Sequence, residues 1–234
     1  MSTISTSLLE QKKQGIIDFI TCRTCNAGGK HAYFRVLRAF YKWCLSEELL
    51  DKSPMANLKA PKVPKPLRQS LSLNNLTKLL NQSSNLRDKL IVSLLADTGL
   101  RLSELANVEM TDIDFQHRTI VVWGKGARQR RVAYGEISER ILRDFLSESG
   151  RGEKLFELLP RGVAQILRRL GEETGITCNA HIFRRTFATQ SIRNEMNVFH
   201  VQSLLVHSSL TMTRIYAEQV NSEDAVKAYK AVVR

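Results

Sequence analysis

The sequence predicts a mainly α-helical protein with one small antiparallel β-sheet, divided into two domains by an extended linker. Three observations predict it. Apolar residues recur at three- and four-residue spacing through most of the 234 residues, the period of amphipathic helices. One stretch, RTIVVWGKGARQRRVAY, alternates instead in the manner of two strands joined by a tight turn. Four of the five prolines, Pro54, Pro61, Pro64 and Pro66, fall within SPMANLKAPKVPKPL, where fixed φ angles and missing donors favour extended chain. The expected boundaries are a small helical domain at 1–53, a Pro/Lys-rich linker at 54–69 and a larger domain at 70–234.

In chain order, SLLEQKKQGIIDFI reads as a short helix and NAGGK as a turn. HAYFRVLRAFYKWCLSEELL then places Tyr33, Leu37, Phe40 or Tyr41, and Cys44 on one helical face, with Arg35, Arg38 and Lys42 on others. Two helices make a small core, so the aromatic cluster is expected to pack rather than to stack on bases. Beyond the linker, LSLNNLTKLLNQ is a helix entered through Ser72 or Asn74, and NLRDKLIVSLLADTG one that ends at Gly99. The alternating stretch follows, with GKG at 124–126 as its turn. Helical patterning then returns in ISERILRDFLSE, PRGVAQILRRLGEETG, AHIFRRTFATQSIR, NVFHVQSLL, SLTMTRIYAEQ and SEDAVKAYKAVV.

Composition narrows the class of partner. Thirty-five Lys and Arg against 23 Asp and Glu give a formal charge of +12, the footprint of a protein that meets phosphate backbones. The N-terminal part is the more densely basic, and Lys52, Lys59, Lys62 and Lys65 carry that charge into the linker. No apolar run approaches the roughly 18 to 20 residues of a membrane span, and MSTISTSLLEQKKQ lacks the apolar core of a secretory signal, so a cytoplasmic protein without membrane contact is expected. Four cysteines, Cys22, Cys25, Cys44 and Cys178, are too few and too scattered for a disulfide framework. Cys22 and Cys25 have CxxC spacing but no second pair, so both are read as ordinary thiols.

Several side chains invite a chemical reading. Arg101 is expected in the first turn of a helix starting near Leu100, where a cation opposes the helix dipole; it can pair with Glu104 or bind a phosphate. His181 and Arg184 lie three apart, presenting an imidazole and a planar fork of donors together, while Ile182, Phe183 and Phe187 can face the core. Lys125 sits at the hairpin tip between two glycines, followed by the basic run Arg128, Arg130 and Arg131. In LLVHSSLTMTRIY, His207 and Tyr216 are nine positions apart, and one continuous helix would set them on opposite faces. Ser208 or Ser209 is a natural N-cap, and a break there lets the two converge. The acids Asp97, Asp112 and Asp114 are too dispersed for a hard-cation site, and no Walker-type phosphate loop occurs.

Four blocks, TGLRLSEL, GKGARQRRV, HIFRRTFAT and LLVHSSLTMTRIY, together resemble in their order the motifs of the tyrosine recombinase family, also called phage integrases. The resemblance covers essentially all of the second domain, and the linker with the preceding helix is similar to the end of that family's core-binding domain. It implies a catalytic domain of the DNA breaking-rejoining type and a shortened DNA-binding domain before it. It also implies that Tyr216 attacks a scissile DNA phosphate, that Arg101 and Arg184 clamp its non-bridging oxygens, and that His207 adds a hydrogen bond. His181 would assist proton transfer at the tyrosine and Lys125 would protonate the departing 5′ oxygen, with no metal, ATP or other cofactor. Arg35, Arg38, Lys42, Lys62, Lys65, Arg128, Arg130 and Arg131 are expected to contact DNA. The resemblance implies a double-stranded recombination site as partner, with four protomers assembled on two such sites; the free protein is expected as a monomer. Val206 stands where the family usually has Gly, and Glu218 where it often has His. A catalytically silent DNA-binding accessory protein and a type IB topoisomerase are the alternatives.

Overall fold

A computed structural model of the chain describes residues 6–22, 24–64, 69–124, 129–150, 152–205, 215–218 and 220–221. The chain divides into two compact units, Met1–Pro66 and Leu67–Arg234, with the division inside the proline-rich segment.

The first unit holds two helices, α1 (Thr6–Thr21) and α2 (Ala27–Ser46). Asn26 caps α2, its side chain accepting from the Gly29 backbone N–H at 2.9 Å. NAGGK is therefore a cap and a first helical turn rather than a connecting loop, because an Asn in extended conformation starts a helix more readily than two glycines break one. A Cβ on Gly29 would lie 2.8 Å from the Cys25 Cβ, so a glycine is needed where the chain folds back on itself. The core comprises Ile16, Ile20, Phe34 and Met55, with Leu37, Tyr41 and Leu58 packed against it. The inner stripe of α2 thus starts at Phe34, not at the expected Tyr33, and Tyr41 rather than Phe40 continues it. Tyr33 and Phe40 are 41% and 51% exposed; Tyr33 stacks edge-to-face on Phe19 instead. The start of the proline segment is not free chain either. Met55 is buried and a His31 ring nitrogen lies 3.0 Å from the Pro61 carbonyl, since two helices alone leave an apolar face that Met55 and Leu58 help to close.

The second unit is built around α4 (Leu86–Thr98), which follows α3 (Leu73–Gln82). Ser72 caps α3, accepting from the Asn75 N–H, and Asn85 caps α4, accepting from the Asp88 N–H. Leu90, Ile91, Val92, Leu94 and Leu95 are fully buried all round α4, as a central helix requires. Gly99, at φ +61°, ends it in the left-handed conformation. A short helix α5 (Leu102–Ala106) and a 3₁₀ turn (Met110–Asp112) lead into strands β1 (Ile113–Asp114), β2 (Thr119–Trp123) and β3 (Gln129–Ala133), an antiparallel sheet in the order β1-β2-β3. The two-residue β1 is too short to leave a period in the sequence. Helices α6 (Glu136–Ser149), α7 (Pro160–Thr174), α8 (Ala180–Arg193) and α9 (Val198–Leu205) follow, and the backbone is helical again at 215–218 and 220–221. α4 packs against α3, α6, α7 and α8, and the sheet adds Ile113, Ile120, Val122 and Val132 to the same core, whereas α9 packs in a separate cluster. No helix among the described residues is long and apolar enough to cross a membrane.

Candidate active site

The turn after α4 is the point on which several elements converge. A Cβ on Gly99 would lie 2.8 Å from the Leu205 side chain and 2.9 Å from Phe187, so the turn is pressed against both α8 and α9. Two residues on, Arg101 is the N-cap of α5, which begins at Leu102 rather than near Leu100. It therefore lies outside the first helical turn, where its charge would oppose the dipole. Glu104 caps the helix in its place, one oxygen accepting from the Arg101 backbone N–H at 2.8 Å and the other from Arg101 Nη1 at 2.7 Å. The Arg101 side chain remains 40% exposed.

Arg184 is buried on the inner side of α8, next to Ile182 and Phe183. Its Nη1 donates to the Gly99 carbonyl at 2.8 Å and its Nη2 to the Leu205 carbonyl. One guanidinium thus ties the turn that carries Arg101 to the end of the helix that leads to His207. Burial, and then the charge of Arg101, lower the Arg184 pKa to about 10, with Glu104 opposing and Tyr216 also among the groups that act on it. His181, one turn earlier in α8 and beside the capping Asn179, is exposed.

Tyr216 is 4% exposed and packs in a second apolar cluster with Ala188, Val201 and Leu205, flanked by Phe187 and Ile192. The structure therefore brings Arg101, Arg184 and Tyr216 into one neighbourhood, formed by the α4–α5 turn, α8 and the end of α9. Lys125, Arg128, Lys65, His207 and the expected serine caps lie outside the described residues, as does the SEDAVKAYKAVV segment. Arg35, Arg38, Lys42 and Lys62 are exposed in the first unit, and Arg131 is exposed on β3.

Arg130 requires a correction. It was expected among the DNA contacts, but its side chain is 7% exposed and bound within the chain. Nη1 and Nη2 donate to the two Glu104 oxygens at 3.0 and 2.8 Å, and Nε donates to the Leu204 carbonyl at 2.6 Å. The cause is strand alternation: Arg130 pairs with Val122 across the sheet and shares the inward face with Ile120 and Val132, leaving Arg131 to point outward. An inward guanidinium needs a carboxylate, and Glu104 supplies one.

Glu104 is the site residue whose full part the sequence did not reveal. Its pairing with Arg101 is local and legible; the second arginine, 26 residues away, is not. Burial alone would raise its pKa, but hydrogen bonds from the Arg130 side chain and the Arg101 backbone, with the charge of Arg130, hold it down at about 2. Other acids are used locally: Asp97 accepts from Gly135 N–H and Ser138 Oγ at the start of α6, Asp112 from Glu109 N–H, and Asp114 from His117. Among the described residues no group of three metal-ligating side chains occurs.

A sequence model of the phage integrase family matches residues 69–223, nearly all of the second unit. Tyrosine recombinase XerA of Saccharolobus solfataricus is 34% identical over 189 residues, covering 80% of this chain and 62% of the relative. Tyrosine recombinase XerA of Thermococcus onnurineus is 34% identical over 198 residues, covering 79% and 68%. The chain thus spans a little under two thirds of the first relative's length and just over two thirds of the second's. The crystal structure of XerA recombinase superposes with a TM-score of 0.62 at 23% identity, covering 95% of this chain and 84% of that one. XerH recombinase bound to palindromic difH substrate, in a post-cleavage complex, gives 0.69 at 22% identity, covering 93% and 70%. These two likenesses are of fold. The chain belongs to the phage integrase family, and the relatives it resembles in sequence are tyrosine recombinases of the Xer type.

Proposed function

We propose that the chain is a site-specific DNA recombinase that cleaves and rejoins strands through a covalent 3′-phosphotyrosine link. The observation that carries the reading is the meeting of Arg101, Arg184 and Tyr216 around the Gly99 turn, two cations and a phenol with no clustered carboxylates among the described residues. In this reading the Tyr216 oxygen attacks the scissile phosphorus, its proton passing to His181, and the phosphorus–5′ oxygen bond breaks. Lys125 gives a proton to the departing 5′ oxygen, and Arg101, Arg184 and His207 balance the charge that gathers on the non-bridging oxygens. The phosphotyrosine link keeps the energy of the broken bond, so a second 5′-hydroxyl can reverse the step without ATP or metal. Four protomers on two DNA sites would exchange strands in pairs, in the cytoplasm. Arg35, Arg38, Lys42, Lys62, Lys65, Arg128 and Arg131 would hold the backbone, with Arg130 withdrawn from that set.

Tyr216 packs against α8 and α9 of its own chain, so the proposed nucleophile comes from the same chain as Arg101 and Arg184. The test uses a library of nicked duplexes of randomised sequence, incubated with the protein in EDTA. Protein–DNA adducts are expected from the wild type and none from Tyr216→Phe. Absence of wild-type adduct on every duplex would refute the recombinase reading, and adduct from Tyr216→Phe would refute the nucleophile.

A further inference from the structure

We infer that Arg130 is a positioning residue for strand cleavage: it neutralises Glu104 and thereby leaves the Arg101 guanidinium free to face an anion. The inference rests on the recombinase reading above and extends it to a side chain that touches no DNA in that reading. Its basis is the arrangement around one carboxylate. Glu104 Oε1 accepts from Arg101 Nη1 at 2.7 Å and Arg130 Nη1 at 3.0 Å, and Oε2 accepts from the Arg101 N–H at 2.8 Å and Arg130 Nη2 at 2.8 Å. Each oxygen has two donors, so the carboxylate is fully satisfied. The two arginines differ in access: 40% exposure of the Arg101 side chain against 7% for Arg130.

That asymmetry divides their roles. Two guanidinium groups against one carboxylate leave one positive charge over, and it falls on the arginine that reaches solvent. Without Arg130, Glu104, itself 4% exposed in its side chain, would keep Arg101 as its one salt-bridge partner among the described residues. A buried carboxylate with a single cation draws that cation inward, because leaving it unpaired costs several kcal/mol. Arg101 would then answer Glu104 rather than a phosphate. Arg130 also bonds the Leu204 carbonyl at 2.6 Å while Arg184 bonds that of Leu205, so the last turn of α9, two residues before His207, is held from both sides. A lysine could supply the charge but not the planar fork that meets both carboxylate oxygens and a third acceptor.

The experiment uses the full chain and the nicked duplexes captured by the wild type from the randomised library. Single-turnover adduct formation is followed at saturating DNA and expressed per DNA-bound molecule, so that unfolded protein does not count. Arg130→Gln is expected to slow it about 100-fold, the scale of a misplaced catalytic group, while DNA affinity changes only a few-fold. Adding Glu104→Gln to Arg130→Gln removes the charge that captures Arg101 and is expected to recover about tenfold of that loss. A direct phosphate contact or a merely structural Arg130 gives no such recovery. If Arg130→Gln does not fold, Arg130→Met, equally uncharged, with and without Glu104→Gln carries the same comparison. Wild-type rates in Arg130→Gln, or a double variant no faster than the single one, would overturn the inference and leave the recombinase reading standing. Failure of the wild type itself to form adducts would instead remove that reading.

Discussion

Glu104 keeps its charge at a depth where an unpaired carboxylate would take up a proton, and that has a consequence for stability. Its folded pKa is about 2, below the ordinary 4.5, so between these values the unfolded chain binds a proton that the folded chain does not. The stabilisation is fully present above pH 4.5 and is lost as pH falls through about 2. Urea unfolding of wild type and Glu104→Gln should therefore differ by roughly 2–3 kcal/mol at neutral pH, with the gap closing as pH falls from about 5 to about 2. A gap independent of pH would show that the carboxylate's charge is not what the two arginines hold. At the same scale, Arg131→Gln should weaken DNA binding and reduce the salt slope by about 1, as loss of one phosphate contact does.

At the scale of elements, the Gly99 turn couples three helices. A Cβ there meets Leu205 and Phe187 below 3.0 Å and the φ of +61° is strained for any other residue, so Gly99→Ala should cost about 1–3 kcal/mol in thermal or urea unfolding. The same turn carries the carbonyl that Arg184 binds. Its displacement should therefore reduce adduct formation by DNA-bound protein more than it reduces DNA affinity. The hairpin makes a second point. In TIVVW and QRRVA the inner and outer positions read alike, Val121 beside Val122 and Arg130 beside Arg131, so alternation predicts two strands without saying which residues face inward. Packing against α9 and α4 decides that. On α2 the stripe slips by one place for the same reason, since Tyr33 and Phe34 are both aromatic and only Phe34 meets Ile16 and Ile20.

At the scale of the molecule, the two units differ greatly in core. Unit two has a continuous cluster around α4, whereas the described part of unit one has a small cluster of Ile16, Ile20, Phe34 and Met55 with Leu37, Tyr41 and Leu58 beside them, and Cys44 buried apart from it. A 67–234 fragment should unfold cooperatively on heating, followed by circular dichroism, and a 1–66 fragment should show no cooperative transition. The charge of +12 predicts that DNA affinity falls steeply and linearly in logarithmic plots against salt. Removing residues 1–66, which carry the basic face of α2, should flatten that slope.

The sequence by itself determined the class of fold, the helix end at Gly99, the hairpin, and the ordered motifs that resemble those of its family. These are local properties: a period, a capping oxygen, a residue type at fixed spacing. Only the tertiary structure decided that Glu104 holds two arginines from separate elements, that Arg184 grips the carbonyls of Gly99 and Leu205, and that Tyr216 lies packed among Ala188, Val201 and Leu205. Apart from the local Arg101–Glu104 pair, each is a contact between residues at least 11 apart in the chain and depends on which face of a strand or helix meets the core. Local sequence permits both faces, and burial selects one.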